Sequence, residues 1–234
     1  MKPFLESLFS KFLRKVEPSY HLVKQSWAQQ GEDVTIDFIF KWVLNCDNPS
    51  YLDIGAHHPY YLSNTWLFYK KGCRGVNIEP DPELIKAFHQ KRPGDININA
   101  GVGKESGAFD FYVLSSTTLN TFSKEEADRL IGKYDGALSI KEVKKINVIP
   151  VNEILDKYFK GNENYFISLD VEGWDFEILQ AIDFEQYRPT VICIETNNME
   201  EDRTIAFLKE KGYLLYASNT INCIFLVKEK FPAN

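Results

Sequence analysis

Apolar residues recur at helical spacing over the first sixteen positions. Phe4, Leu5, Leu8, Phe9, Phe12, Leu13 and Val16 fall on one face, Lys2, Lys11, Arg14 and Lys15 lie mostly opposite, and Pro18 ends the run. The pattern predicts an amphipathic helical arm over residues 1–18, set apart from a domain over residues 19–234. The arm has two readings: packing on its own domain or a second subunit, or lying on an anionic membrane surface. A second helix is expected over about Glu32 to Asn45, then a strand over Tyr51–Gly55. A helix over Ser63–Lys71, a strand ending at Glu79 and a helix from Pro82 to about Lys91 follow, and then a strand over ININAGVG. This βαβαβ order predicts a parallel, doubly wound sheet.

Alternation breaks in the middle. Ala108–Leu114 and Lys145–Val151 read as strands, and Ser123 with Glu126 marks a capping-box helix start. The polar stretch from Ser115 to Lys144 is the expected lid or substrate loop. Regular order returns with strands over Asn164–Asp170 and Thr190–Glu195 and helices over Trp174–Ile182 and Glu200–Lys211, the last ended by Gly212. YLLYAS and NCIFLVKE close the chain as an antiparallel hairpin.

Composition narrows the class. At 234 residues and 44% hydrophobic, the chain has ample material for one packed α/β domain, which excludes low-complexity disorder. A net charge of −6 argues against non-specific nucleic-acid binding, which rests on neutralising phosphates. Its apolar runs fall well short of the ~20 residues of a membrane span, and MKPFLESLFSKFLRK lacks the unbroken apolar core of a secretory signal. Cys46, Cys73, Cys193 and Cys223 form no CxxC pair, so buried free thiols in a reducing compartment are expected. The expected location is the cytoplasm, with peripheral membrane contact left open through the arm.

Ligands of open parallel sheets bind beyond the carboxyl ends of the strands. Here those ends read Asp53-Ile54-Gly55-Ala56-His57, Glu79-Pro80-Asp81, Asn99-Ala100-Gly101, Asp170-Val171-Glu172-Gly173 and Glu195-Thr196-Asn197-Asn198. Gly55 permits close backbone approach to a ligand. The pyrophosphate-binding GxGxxG is absent, and the Asp53 carboxylate would repel a pyrophosphate while suiting a cationic, amino-bearing ligand. An acidic residue in the position of Glu79 accepts both ribose hydroxyls. Together they point to a nucleoside without a diphosphate, such as S-adenosylmethionine; the plainer reading makes Asp53 a helix cap and Glu79 a solvated acid.

With QQGED (Gln29–Asp33), YLDIGAHHP (Tyr51–Pro59), SNTWLFYKKGCRGVNIEPDP (Ser63–Pro82), RPGDININAGVG (Arg92–Gly103), LNTFS (Leu119–Ser123), FISLDVEGWD (Phe166–Asp175) and YRPTVICIE (Tyr187–Glu195), the sequence resembles the FkbM family of S-adenosylmethionine-dependent methyltransferases over about residues 25–229. The resemblance implies a Rossmann-like class I methyltransferase fold, α/β, with helices on both faces of a mostly parallel seven-stranded sheet whose terminal strand is antiparallel. It implies O-methylation of a sugar or natural-product acceptor. Asp53 and Gly55 would line the methionine moiety, Glu79 would hold the ribose, Asn99 and Ala100 would flank the adenine, and Ala56, Pro80 and Asp170 complete the cofactor contacts. One departure is Ala56-His57-His58 where a second glycine of a GxG turn would stand.

Methyl transfer to a hydroxyl also needs a proton acceptor or a metal. His57, His58, Asp170 and Glu172 are the candidate catalytic groups, the histidines favoured by their near-neutral pKa; a helix-capping or purely structural histidine pair is the alternative. Asp170, Glu195 and Asn197 offer hard oxygen ligands for Mg²⁺ or another divalent cation. Catechol and some macrolide-sugar O-methyltransferases have a similar acidic-plus-amide set. The aromatic residues Tyr60, Tyr61, Trp66, Phe122 and Trp174 could stack on sugar faces or simply pack on the sheet. Two other readings stay open: a nicotinamide-dependent sugar-modifying enzyme on a similar sheet, and a non-catalytic assembly partner docking through the arm.

Overall fold

The computed structural model describes residues 19, 23–196 and 201–231. The arm over residues 1–18, and Asn197 with Asn198, lie outside the described residues. The strands are β1 Ser50–Ile54, β2 Gly75–Ile78, β3 Ile96–Ile98, β4 Gly101–Gly103, β5 Gly107–Leu114, β6 Ile140–Pro150, β7 Tyr165–Leu169, β8 Val191–Glu195, β9 Tyr213–Ser218 and β10 Asn222–Val227. The helices are α1 Glu32–Phe38 (continued by a π-helical turn, Ile39–Val43), α2 Trp66–Lys71, α3 Pro82–Lys91, α4 Lys124–Lys133, α5 Val151–Tyr158, α6 Asp175–Ala181 and α7 Glu201–Glu210.

Seven strands form one mixed sheet in the order β3-β2-β1-β7-β8-β10-β9. Pairing is parallel except at β10, which runs antiparallel to both β8 and β9. The central strands are buried on both faces, and successive side chains go to opposite layers. Leu52, Ile167, Ile192 and Phe225 pack with Ile154, Leu155, Ile178 and Leu208 from α5, α6 and α7 on one face. Tyr51, Phe166, Val191 and Ile224 pack with Ile36, Ile39 and Phe68 from α1, its π-helical turn and α2 on the other. Each such side chain contributes roughly 1.5–3 kcal/mol on burial, so this two-sided core is what fixes the positions of the strand ends.

Two starts follow the sequence closely. Asp81 caps α3, accepting the Glu83 N–H at 3.0 Å with Pro82 in the first turn. Ser123 caps α4 by accepting the Glu126 N–H at 3.1 Å, while the Glu126 carboxylate pairs with Arg129.

Three features differ from the pattern. ININAGVG is two strands in two sheets: β3 edges the large sheet, and β4 joins β6 and β5 in a separate three-stranded sheet. The break falls at Asn99, whose side-chain amide donates to the carbonyls of Glu79 and Pro80, both at 2.9 Å. Second, the middle segment is largely structured, carrying the 3₁₀ turn Thr117–Leu119, α4 and the first part of β6. Third, α5 begins directly at the end of β6 with no polar break, and the sequence pattern does not announce it.

Candidate active site

The strand order reverses between β1 and β7. A cavity of about 880 Å³ opens there, beyond the carboxyl ends of β1, β2, β7 and β8, where an open α/β sheet binds its ligands. Asp53, Gly55, Ala56, His57, Glu79, Pro80, Ala100, Asp170, Glu172 and Glu195 all line it. His58 and Asn99 do not. The His58 Nδ1 accepts the backbone N–H groups of Tyr60 and Tyr61, at 3.3 and 3.0 Å, so its ring organises a turn. Asn99 holds the β2 end through the two carbonyl contacts above.

The cofactor half is preorganised. Gly55 has φ +78°, and a Cβ there would fall 1.8 Å from the Asp170 carbonyl oxygen; only glycine lets β1 turn this close to β7. The buried Glu79 carboxylate accepts N–H groups from His57 and Asp81, each at 2.8 Å. Burial, aided by the Asp81 and Asp53 carboxylates, pushes it up to about 7 against those two donors. Asp53 is also buried and accepts the Thr65 hydroxyl at 2.5 Å. Burial raises its pKa while the Arg92 guanidinium opposes that shift.

The acceptor side is built from two sheets. His57 sits at φ +49°, a left-handed conformation unusual for a non-glycine residue. Its Nε2 lies 3.1 Å from Thr117 Oγ1, on the turn between β5 and α4. Burial and the neighbouring His58 lower its pKa, so the ring is neutral at pH 7. Phe111 and Phe122 reach the cavity from the small sheet and its loop. Trp174 stacks on Phe122 at 5.0 Å, and Trp66 stacks on Tyr69 at 5.4 Å, so both tryptophans pack within the fold instead of lining the opening.

Asp170, Glu172 and Glu195 offer carboxylate oxygens that all lie within 4.8 Å of one another. Glu172, at φ +55°, is held by Thr121, whose hydroxyl donates to the Glu172 carbonyl at 2.6 Å. The Asp175 carboxylate fixes the same turn by accepting the Val171 and Gly173 N–H groups, at 3.0 and 3.1 Å. Burial above all holds the three carboxyls well above the usual carboxylate range; repulsion from Asp175 adds to it at Asp170, where a hydrogen bond with Glu195 opposes the shift, and repulsion from Asp170 adds to it at Glu172 and Glu195. This set differs from the expected ligands in including Glu172; Asn197 lies outside the described residues. Gln29, Asn64, Ser168, Thr196 and α4 residues such as Arg129 also line the cavity. Gln29, Asn64 and Ser168 stand in the motifs quoted above and Thr196 at a named strand end, but the sequence carries no such signal for the α4 residues.

The raised carboxyls bear on stability. A group that holds its proton more tightly when folded favours folding fully below its unfolded pKa, about 4, and that contribution is lost as pH rises through the folded value. With a chelator present, Glu195→Gln should therefore raise Tm by a few degrees at about pH 8.5 and leave it nearly unchanged at about pH 4. Equal shifts at both pH values would show that the cluster is not under charge strain.

Comparison with known proteins follows this geometry. A family model described as the methyltransferase FkbM domain matches residues 53–215. Among solved structures, a methyltransferase FkbM from Methylobacillus flagellatus KT is 16% identical, with a TM-score of 0.46, over 94% of this chain and 53% of that one. The chain thus spans about half the length of that protein. Precorrin-6y C5,15-methyltransferase from Geobacter metallireducens GS-15 is 14% identical, with a TM-score of 0.40, over 87% of this chain and 92% of that one. No curated protein matches. Among the described residues, no helix is long and apolar enough to cross a membrane, and Cys46, Cys73, Cys193 and Cys223 are free thiols.

Proposed function

The chain belongs to the FkbM methyltransferase domain family, and from that premise we propose that it is an S-adenosylmethionine-dependent O-methyltransferase acting on a hydroxyl of a sugar or glycosylated natural product. One observation supports the donor most directly. The buried Glu79 carboxylate and the positive-φ Gly55 face one cavity from adjacent strand ends, with Asp53 beside them. The donor set fits an amino-bearing nucleoside: two carboxylates and a close backbone approach, without a glycine-rich pyrophosphate cradle. S-adenosylmethionine, when bound, supplies an electrophilic methyl group.

The chain's own residues then have three tasks. Glu79 accepts the ribose hydroxyls, Asp53 and the Gly55 turn hold the amino-acid end, and Ala100 leaves room for the base. Displacement at a methyl carbon is in-line, and positioning alone supplies a large part of its acceleration. The acceptor enters between the His57 loop and the carboxylate cluster, where Phe111 and Phe122 offer apolar surface to sugar C–H groups. His57, neutral at pH 7, takes the hydroxyl proton. A hard divalent cation held by Asp170, Glu172 and Glu195 would instead lower the pKa of that hydroxyl; the 4.8 Å carboxylate cluster is the observation behind this second route.

Calorimetry tests the donor assignment. S-adenosylmethionine and S-adenosylhomocysteine should bind in the micromolar range and NADH should not, and Glu79→Ala should weaken binding about tenfold, or about 1.4 kcal/mol. Absence of binding by either sulfur compound, or preferential binding of NADH, would overturn it.

A further inference from the structure

Arg92 ends α3 and touches none of the cavity, yet it is fully buried. Its Nε donates to the Pro59 carbonyl at 2.8 Å, and its Nη2 to the Ser63 hydroxyl at 2.8 Å. Its Nη1 donates to Thr65 Oγ1 at 2.7 Å and to Asn77 Oδ1 at 2.9 Å. The guanidinium sits among the rings of Phe88, Trp66 and Tyr69, at 5.3, 5.4 and 5.7 Å. Its paired carboxylate, Asp95, stands 3.8 Å away and is itself engaged by Tyr51, Gly75 and Asn77.

A cation this desolvated returns little net stability even when satisfied, so its acceptors indicate its use. Three of the four lie on the 59–65 segment, which follows His57 and carries Asn64 to the cavity wall. Thr65 passes the contact on by donating its hydroxyl to Asp53. A planar fork that reaches three points of one loop at once is a task for arginine and not for lysine.

We propose that Arg92 is the positioning residue of the methyl-donor site. Through Thr65 it orients the Asp53 carboxylate, and through Pro59 and Ser63 it fixes the loop that follows His57 and carries Asn64 to the cavity wall. The inference rests on the reading of this cavity as an S-adenosylmethionine site. It also has an electrostatic consequence. Asp53 is faced by Arg92 and Asp95 from the end of α3 and the turn after it, by Tyr51 on its own strand, and by Thr65 before α2. Ser168 faces it from β7, and it also interacts with Glu79 after β2, Asp170 after β7 and Cys193 on β8. Arg92 is the cation in that set. Without it, burial and the surrounding acids leave Asp53 protonated to higher pH, and a protonated Asp53 no longer attracts the ligand's amino group.

The test is calorimetry of S-adenosylhomocysteine with the full chain, with near-UV circular dichroism to confirm folding. Thr65→Val keeps the buried cation and breaks the bridge; it should weaken binding about tenfold. Arg92→Met should weaken binding at least as much, and its loss relative to wild type should be larger at about pH 6 than at about pH 8.5. Arg92→Lys should remove that pH-dependent part of the loss while leaving part of the rest. Folded variants that bind within about twofold of wild type, or an Arg92→Met loss of the same size at both pH values, would overturn the proposal. If Arg92→Met does not fold, Thr65→Val decides it. Failure of the wild-type protein to bind would overturn the donor assignment itself; normal wild-type binding with unaffected variants would overturn only the role of Arg92.

Discussion

Gly55→Ala is expected to abolish cofactor binding, lowering affinity for S-adenosylhomocysteine by roughly 100-fold or more, about 2.8 kcal/mol. The reason is local and steric. Gly55 lies at φ +78°, and an added Cβ would stand 1.8 Å from the Asp170 carbonyl oxygen and 2.8 Å from its carbon. Both are backbone atoms on β7's extension and cannot rotate away. The Asp170 N–H donates to the Ile54 carbonyl at 3.1 Å, and the Gly55 N–H donates to the Ile78 carbonyl at 3.0 Å. The methyl can therefore be accommodated only by opening the β1–β7 gap or lifting the turn off β2. Either displaces Asp53 and Asp170 together. Overpacking of this kind typically costs about 1–3 kcal/mol, and the left-handed conformation adds about 1–2. Gly72→Ala is the matched control, since Gly72 sits at φ +100° with nothing within 4 Å of the added Cβ. It should cost only the conformational part and leave binding intact. Thermal melts and calorimetry on both variants check this; a Gly55→Ala protein that binds like wild type would remove the turn from the site.

Gly55 was legible because its chemistry is local. It directly follows a buried strand, and a glycine there has few other uses. The same holds for Asp53, Glu79 and Asp170: buried β runs announce themselves, so the residues that end them can be read off as facing a common crevice. The family resemblance pointed to the same class of methyl donor as those strand ends. What stayed hidden depends on packing between distant segments. ININAGVG reads as one strand because all its residues suit a strand; the turn between β3 and β4 exists because Asn99 finds the Glu79 and Pro80 carbonyls. α5 was masked because Val151, Ile154 and Leu155 continue the apolar run of β6. Arg92 opens the RPGDININAGVG motif, but nothing in the sequence tells that it is buried, since arginine is among the residues least often buried. Only the fold shows the pocket of rings and carbonyls that encloses it. His58, adjacent to His57 in sequence, follows the structural alternative: its Nδ1 accepts two backbone N–H groups.

His57→Ala is expected to slow methyl transfer by roughly 100-fold, the lower end of what a positioned general base supplies, while S-adenosylhomocysteine affinity stays within about twofold of wild type. The imidazole combines three properties that suit it to the task. Its backbone N–H is tied to Glu79 at 2.8 Å, so the ring is registered to the group assigned to the ribose. Its Nε2 is tethered to Thr117 Oγ1 at 3.1 Å, a weak partner that an acceptor hydroxyl can replace. Burial lowers its pKa, which keeps it in the proton-accepting form at neutral pH. The sign of the pH dependence follows. Turnover needs the neutral ring, so activity should persist down to the lowered pKa and fall only below it, placing the acid limb beneath the ordinary histidine value of about 6.5. The carboxylate cluster predicts otherwise. If a cation on Asp170, Glu172 and Glu195 activates the hydroxyl, exhaustive chelation abolishes turnover, Mg²⁺ restores it, and His57→Ala is nearly silent. Release of S-adenosylhomocysteine, followed with labelled donor and a carbohydrate acceptor mixture, distinguishes the two. Wild-type turnover that survives chelation, together with an inactive His57→Ala that still binds the product, assigns the proton to the imidazole; an active His57→Ala assigns it elsewhere.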